Sequence, residues 1–344
     1  MDEKIHINNS EYIVKNKYFI NEPKKYLDFP APTTPLANIF FSLFIFISKD
    51  IVFLRLVNIL ISILCIVIFS KILNELKIKD DFKILSFFTF PYFIMLSQIV
   101  MTDIFALLMA LISVYYFVKY EKDLKKYNLL LSSLFFCLSF FSRQYYIFVG
   151  LSHLFYLFIK NKKDILFYSI FLIPIIIYIF FQKGLTPIEF RNSYNINFFP
   201  IKFFIISSIG FYFFPQIMKI KININYLIIL IFLILLVFLK IIEISCVGIS
   251  CRLINNIVFG IIFSFLGILL IFDFTKNKIK KITFSFYLIF FVIEQFFNSM
   301  PYDRYFLSIY WVLIIFSDKK LSKIQFLYFL ILSTVYIFYK LFFI

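Results

Sequence analysis

Along this chain, apolar runs alternate with short polar gaps. The runs fall near 36–48, 51–72, 84–98, 102–118, 128–142, 144–159, 165–182, 201–218, 225–242, 253–272, 282–298, 304–317 and 324–344, and the gaps between them are rich in Lys or Asn. A helix needs about 17 to 25 apolar residues to cross roughly 30 Å of hydrocarbon, and most of these runs approach or reach that length. The pattern predicts an all-α fold, a polytopic transmembrane helical bundle with about 12 spans, over residues 51–344. The first run, 36–48, is too short to span and reads as a re-entrant or interfacial helix. Residues 1–50 are the one long stretch without spanning character, and they are predicted to form an extracytoplasmic catalytic loop that carries this short helix.

Two features mark that stretch. Pro30, Pro32 and Pro35 forbid a helix across their segment and fix an extended turn that releases into the apolar run at Leu36. The chain also opens on adjacent carboxylates, Asp2 and Glu3. Neighbouring side chains diverge unless the backbone is bent, so these acids are expected to take separate roles rather than share one proton.

Composition strengthens the membrane assignment. The 344 residues are 62% hydrophobic, with 54 Phe, 23 Tyr and only 6 Gly, and the mean hydropathy is +0.94. No soluble core of this length hides so much apolar surface. A net charge of +16 raises nucleic acid as a partner, but Lys and Arg occupy the gaps rather than one patch, so they read as topology signals and no nucleic acid is expected.

With the N-terminal tail outside and strict alternation, the gaps at 71–83, 119–126, 160–163, 219–221, 276–281 and 319–323 face the cytoplasm and hold 20 of the 35 basic residues. Such asymmetry in short loops sets orientation. The tail itself bears Lys4, Lys15, Lys17, Lys24 and Lys25 and has nothing before it to carry it across, so a transmembrane helix upstream of Met1 is expected. Four cysteines without a Cys-x-x-Cys pair exclude a disulfide framework or structural zinc site; Cys246 and Cys251 share a short loop in which they can pair in an oxidising compartment.

All five arginines, Arg55, Arg143, Arg191, Arg252 and Arg304, fall at outer helix ends or in outer loops, whereas most lysines lie inside. Arginine is the residue for bidentate recognition of phosphate, so arginines gathered at the outer surface point to an anionic ligand. The plainer reading is that each snorkels or pairs with a nearby acid. Asp2, Glu3, Asp28, Asp103, Glu189, Glu243 and Asp303 lie on the same side; Asp103 opens an apolar run, where it or Thr102 can also serve as a helix cap. Glu294 and Gln295 sit about one turn inside a span and are expected to face a polar cavity or an arginine. His6 follows Asp2 by four residues, a spacing that on a helix gives one face. His153 reads as a helix-packing hydrogen bonder. No Gly-rich phosphate loop, His-x-x-x-His pair or nucleophile elbow is present.

On these residues the chain resembles the GT-C superfamily of membrane glycosyltransferases, and within it the dolichyl-phosphate-glucose α-1,2-glucosyltransferases of N-glycan precursor assembly. Met1-Asp2-Glu3-Lys4-Ile5-His6 is similar to that family's Met-Asp-Glu-x-(Phe/Ile)-His, which follows a first transmembrane helix. Asp28 and Thr33-Thr34-Pro35-Leu36 are similar to its Trp-Asp-Pro-x-Ile-Thr-Thr-x-Pro-Gly-Leu stretch. Leu54-Arg55-Leu56-Val57-Asn58 resembles Leu-Arg-x-x-Asn, Arg143-Gln144 its Arg-Gln, and Arg304-Tyr305-Phe306 its Arg-Tyr-(Phe/Leu). Two departures stand out: Ile188 to Tyr194 keeps Arg191 but lacks the Gly-Asp and His of the family's loop, and Thr102-Asp103 stands in place of Thr-Glu.

The resemblance implies an inverting hexosyltransferase that uses a polyprenyl- or dolichyl-phosphate sugar as donor, with a lipid-linked oligosaccharide or other glycan as acceptor. It implies Asp2 and Glu3 as catalytic residues and His6, Asp28, Arg55, Asp103, Arg143, Gln144, Arg191 and Arg304 as substrate-binding residues. Asp2 is the general base, Arg143, Arg191 and Arg304 face the phosphate, and neither cofactor nor metal is required. The membrane is that of the endoplasmic reticulum in a eukaryote or the plasma membrane in a prokaryote. The competing expectation is a transporter or flippase for an anionic lipid or sugar; the lack of internal repeats, the few mid-span charges and the scarcity of Gly weigh against it.

Overall fold

A computed structural model of the chain describes residues 2–16, 35–182, 201–220, 224–244, 250–276, 282–296 and 303–343. Helices α1 (Asp2–Asn16), α2 (Leu36–Ile45) and α3 (Ile51–Glu75) come first, followed by α4 (Asp81–Thr89), α5 (Pro91–Ser97), α6 (Thr102–Asp123), α7 (Lys126–Phe140), α8 (Ile147–Lys160), α9 (Ile165–Ser169) and α10 (Ile173–Gln182). Then come α11 (Phe204–Tyr212), α12 (Ile224–Phe238), α13 (Cys251–Ile254), α14 (Ile257–Lys276), α15 (Ile282–Phe296), α16 (Tyr310–Phe316) and α17 (Ser322–Phe343). Ile201–Lys202 and Ile242–Glu243 add a two-residue parallel strand pair. Among the described residues five helices are long and apolar enough to cross a membrane, Ile51–Glu75, Thr102–Asp123, Lys162–Phe181, Ile257–Phe274 and Lys319–Tyr339. Other expected runs form shorter apolar helices, such as Lys126–Phe140 and Thr283–Glu294. The chain is an all-α, multi-pass integral membrane protein.

The chain divides into two compact units, Met1–Lys79 with Phe93–Ser193, and Asp80–Tyr92 with Tyr194–Ile344. In the first unit α6 is the centre. It packs between α3 and α7, and 72% of its spanning window is buried, against 33% for α3. At one end of these helices the Lys-bearing gaps meet: Lys122 pairs with Glu75, Tyr120 donates to Asp164 Oδ2 at 2.5 Å, and Asn161 Nδ2 donates to both Tyr120 (3.0 Å) and Asp164 (2.7 Å). At the other end, α2 starts at Leu36, directly after Pro35. Its first amide donates to the Phe141 carbonyl at 3.1 Å, and Phe40 stacks on Phe105 with ring centroids 4.4 Å apart.

The run at 84–98, read from sequence as one span, is two helices. Pro91 disfavours a helical conformation at Phe90, which is extended at φ −60, ψ 128, and the missing amide frees carbonyls of the preceding turn. Side chains of the second unit take them up: Tyr310 donates to the Phe87 carbonyl (3.1 Å) and Ser333 to that of Thr89 (2.6 Å). In hydrocarbon such freed groups have no water to fall back on.

Lys83, 3% exposed, closes the end of α16 in the same unit. Its ammonium donates to the carbonyls of Ile314 (2.8 Å), Ile315 (2.8 Å) and Ser317 (2.6 Å), groups that a helix C-terminus leaves unpaired. Nearby, Lys219 bridges Asp318 (3.3 Å) and Asp273 (3.5 Å). Partial burial pushes the Asp318 carboxyl up, but the Lys320 amide and the Lys219 ammonium outweigh it and hold the group below its ordinary value. The gaps placed in the cytoplasm from sequence thus also converge within this unit. Cys251 is disulfide-bonded and Cys65 and Cys137 are free thiols; Cys246 lies outside the described residues.

The tightest helix pair of the second unit is built on small residues. Ser207 and Gly210 of α11 face Ser264 and Gly267 of α14, and the two serine hydroxyls are 2.6 Å apart. A Cβ on Gly210 runs into the Phe263 carbonyl and one on Gly267 into the Ile206 carbonyl, so the backbones touch only because neither residue has a side chain. This is how spanning helices gain packing without a hydrophobic driving force between them. Gly210→Ala and Gly267→Ala are each expected to destabilise the detergent-purified protein by about 1–3 kcal/mol. Gly150→Ala, which meets only the Phe136 ring, is expected to cost less. Thermal unfolding of the three variants checks the order.

Candidate functional site

The site begins with one face of α3. Asp50 caps the helix by accepting from the Val52 amide (3.0 Å), which fixes where its first turn starts. One turn further in, Arg55 grips Glu3 with two parallel bonds, Nε to Oε1 at 2.9 Å and Nη2 to Oε2 at 2.7 Å, and the Val100 amide donates to the same Oε1 at 2.9 Å. Asn58, three residues on and on the same face, donates through Nδ2 to the carbonyls of Leu96 (2.8 Å), Ser97 (3.2 Å) and Ile99 (2.7 Å). The Leu54-Arg55-Leu56-Val57-Asn58 motif is therefore a fastener: its arginine holds α1 and its asparagine holds the turn between α5 and α6.

The Glu3 carboxylate is engaged by three donors and only 16% of its side chain is exposed. Its oxygens are therefore engaged in holding α1 to α3 and to the turn before α6. Asp2 is the first residue of α1, and His6 stands one turn along the same helix, buried, with Ser10 Oγ donating to its carbonyl at 2.8 Å.

A second acid–arginine pair lies next to the first. Asp103 is in the opening turn of α6, three residues after Val100, where the helix N-terminus favours negative charge. Arg143, in the turn after α7, donates through Nη2 to Asp103 Oδ2 at 2.6 Å, and the Tyr145 hydroxyl donates to Oδ1 at 2.7 Å. The Asp103 side chain is wholly buried and that of Arg143 is 7% exposed. The turn carrying Arg143 and Tyr145 is fixed from below, because Ser139 Oγ donates to the Ala106 carbonyl at 3.0 Å and the Arg143 amide bonds to that of Ser139 at 2.9 Å. A half-buried Gln144 opens the 3-10 turn Gln144–Tyr146.

The residues singled out from sequence thus separate clearly. Glu3, Arg55, Asp103 and Arg143 come together at one end of α3 and α6, with Asp2 and His6 on the helix that Arg55 anchors. Arg304 belongs to the second unit, half-buried in the turn Asp303–Ser308 with its guanidinium 6.0 Å from the Tyr305 ring centre. Asp28 and Arg191 lie outside the described residues. Tyr145 was not singled out, although a tyrosine two residues beyond a buried arginine was the available signal. No group of three His, Cys, Asp or Glu side chains suited to a metal ion occurs among the described residues.

The family described as dolichyl-phosphate-mannose-protein mannosyltransferase matches residues 31–182, a stretch that includes Arg55, Asn58, Asp103, Arg143 and Tyr145. No curated protein and no solved structure matches the chain.

The burial of the two pairs sets different costs. Asp103→Asn strands the Arg143 charge in a low-dielectric site and is expected to destabilise the protein by about 3–5 kcal/mol. Replacing both partners, Asp103→Leu with Arg143→Met, is expected to restore most of that loss. Glu3→Gln acts on a pair whose arginine is 41% exposed and is expected to cost under about 1 kcal/mol. Thermal unfolding in detergent separates the three.

Proposed function

We propose that the protein is an inverting glycosyltransferase that moves a hexosyl group from a polyprenyl-phosphate carrier to a hydroxyl of a glycan or lipid-linked oligosaccharide, at the extracytoplasmic surface. The matched family is described by a dolichyl-phosphate sugar donor, and the motifs noted in the sequence resemble those of enzymes of that chemistry. The observation that carries the reading is the adjacency of two acid–arginine pairs, Glu3–Arg55 and Asp103–Arg143, at one end of α3 and α6. The Lys-rich gaps gather at the opposite end, which supports placing the pairs outside.

The roles follow from which groups are already engaged. Glu3 is a positioning residue, since its oxygens hold Arg55 and the Val100 amide. Asp2, beside it, is the general base. It takes the proton of the acceptor hydroxyl as that oxygen attacks the anomeric carbon, and the bond from this carbon to the phosphate oxygen breaks on the opposite face. Polyprenyl phosphate leaves with the bonding pair and the anomeric configuration inverts. Arg143, whose direction Asp103 and Tyr145 fix, is assigned to the negative charge growing on the leaving phosphate.

The donor sugar is glucose by the motif resemblance and mannose by the description of the matched family, so both are to be assayed. Purified full-length protein is expected to transfer one of these hexoses from its polyprenyl phosphate to an oligosaccharide acceptor. Asp2→Asn is expected to lower kcat by about 10²–10⁴ without lowering thermal stability. Near-normal transfer by Asp2→Asn removes the base assignment; absence of transfer from either donor by the unaltered protein contradicts the function.

A further inference from the structure

Asn38, Thr102 and Tyr146 differ from the other polar side chains buried in the first unit. Each is fully buried, and neither amide atom of Asn38, nor Thr102 Oγ1, nor the Tyr146 hydroxyl has a hydrogen-bond partner. Serines at similar burial in the same unit do better: Ser62, Ser113, Ser139 and Ser152 each donate to a carbonyl. A buried polar group without a partner is rare in a native fold and calls for a partner outside the chain or a functional role.

The three share one end of the unit. Thr102 immediately precedes Asp103. Tyr146 follows Tyr145, which donates to Asp103, and the two rings are 5.0 Å apart. Asn38 is in the first turn of α2, between Leu36, which bonds to the Phe141 carbonyl, and Phe40, which stacks on Phe105. Tyr146 thus lies in the turn after Arg143, Thr102 precedes the acid that Arg143 holds, and Asn38 is in the helix whose first amide bonds to Phe141, two residues before Arg143.

We infer that Asn38, Thr102 and Tyr146 bind the hexose ring of the donor, an assignment that rests on the function proposed above. All three are neutral, so they add nothing to the grip of Arg143 on phosphate. Two hydroxyls and an amide beside a carboxylate are instead the groups that recognise a polyol, whose hydroxyls each donate and accept. The ring is joined directly to the phosphate, so groups flanking Arg143 are where its hydroxyls must be met.

Tyr146→Phe and Thr102→Val each remove one hydroxyl with little change of shape. Binding is measured on detergent-purified full-length protein with short-chain polyprenyl-phosphate glucose, polyprenyl-phosphate mannose and polyprenyl phosphate without sugar, alongside thermal unfolding of the free protein. Each variant is expected to lose about tenfold in affinity for the sugar-bearing lipid that the unaltered protein prefers, roughly the loss of one good hydrogen bond. Affinity for the bare lipid is expected to stay unchanged, and stability to stay level or rise, because the hydroxyls removed have no partner to lose. Variants that keep the original affinity for the sugar-bearing lipid, or that lose the bare lipid equally, overturn the inference while leaving the function standing. An unaltered protein that neither prefers a sugar-bearing lipid nor transfers sugar overturns both.

Discussion

The rest of the first unit depends on a full negative charge kept out of water. Asp103 is wholly buried in a helix end inside a membrane protein, a position tolerable only because a guanidinium and a phenol close on its two oxygens. Satisfying it requires the turn after α7 to lie over the start of α6. That in turn fixes Phe141 beneath Leu36, and so the point from which α2 departs. The same rule shapes Glu3, whose oxygens draw α1 onto α3 and the turn before α6. One electrostatic demand thus decides where five segments meet.

Lysine answers a related demand differently. Lys83 spends its protons on the carbonyls that end α16. Arginine, with a rigid fork, pairs with carboxylates at one end of the first unit, whereas the lysines of the gaps after α3, α6 and α8 lie at the other and Lys4, Lys15 and Lys49 stay with the arginines. In the proposed function the first end serves recognition and the second orientation. Glu3 is there a positioning residue, because a carboxylate engaged by three donors is a poor base, and its neighbour Asp2 carries the chemistry.

Much of this architecture was legible in the sequence, because lipid leaves few choices. The apolar runs became helices among the described residues, Lys-bearing gaps met within each unit, and a helix begins at Leu36 directly after Pro35. Arg55 and Asn58 stood out through the resemblance of Leu54 to Asn58 to a family motif. What periodicity does not carry is the partner: Arg55 meets Glu3 across 52 residues and Lys83 meets Ser317 across 234. Nor did it show that Pro91 divides a run, since the carbonyls it frees are repaired by Tyr310 and Ser333 from far along the chain. The N-terminal stretch, too polar to read as membrane-spanning, holds α1 because Arg55 and α2 give its buried positions, His6, Ser10 and Ile13, something to pack against.

The central claim is that the acid–arginine end of the first unit faces away from the cytosol and the lysine end faces it. Single cysteines at Lys49, beside the cap of α3, and at Lys125, between α6 and α7, test this in intact cells with a membrane-impermeant maleimide. Both positions are exposed, whereas the free thiols Cys65 and Cys137 are buried. Lys49→Cys is expected to label in intact cells and Lys125→Cys only after permeabilisation. The reverse pattern would contradict the account, because it would put the assembled carboxylates and guanidiniums on the cytosolic side.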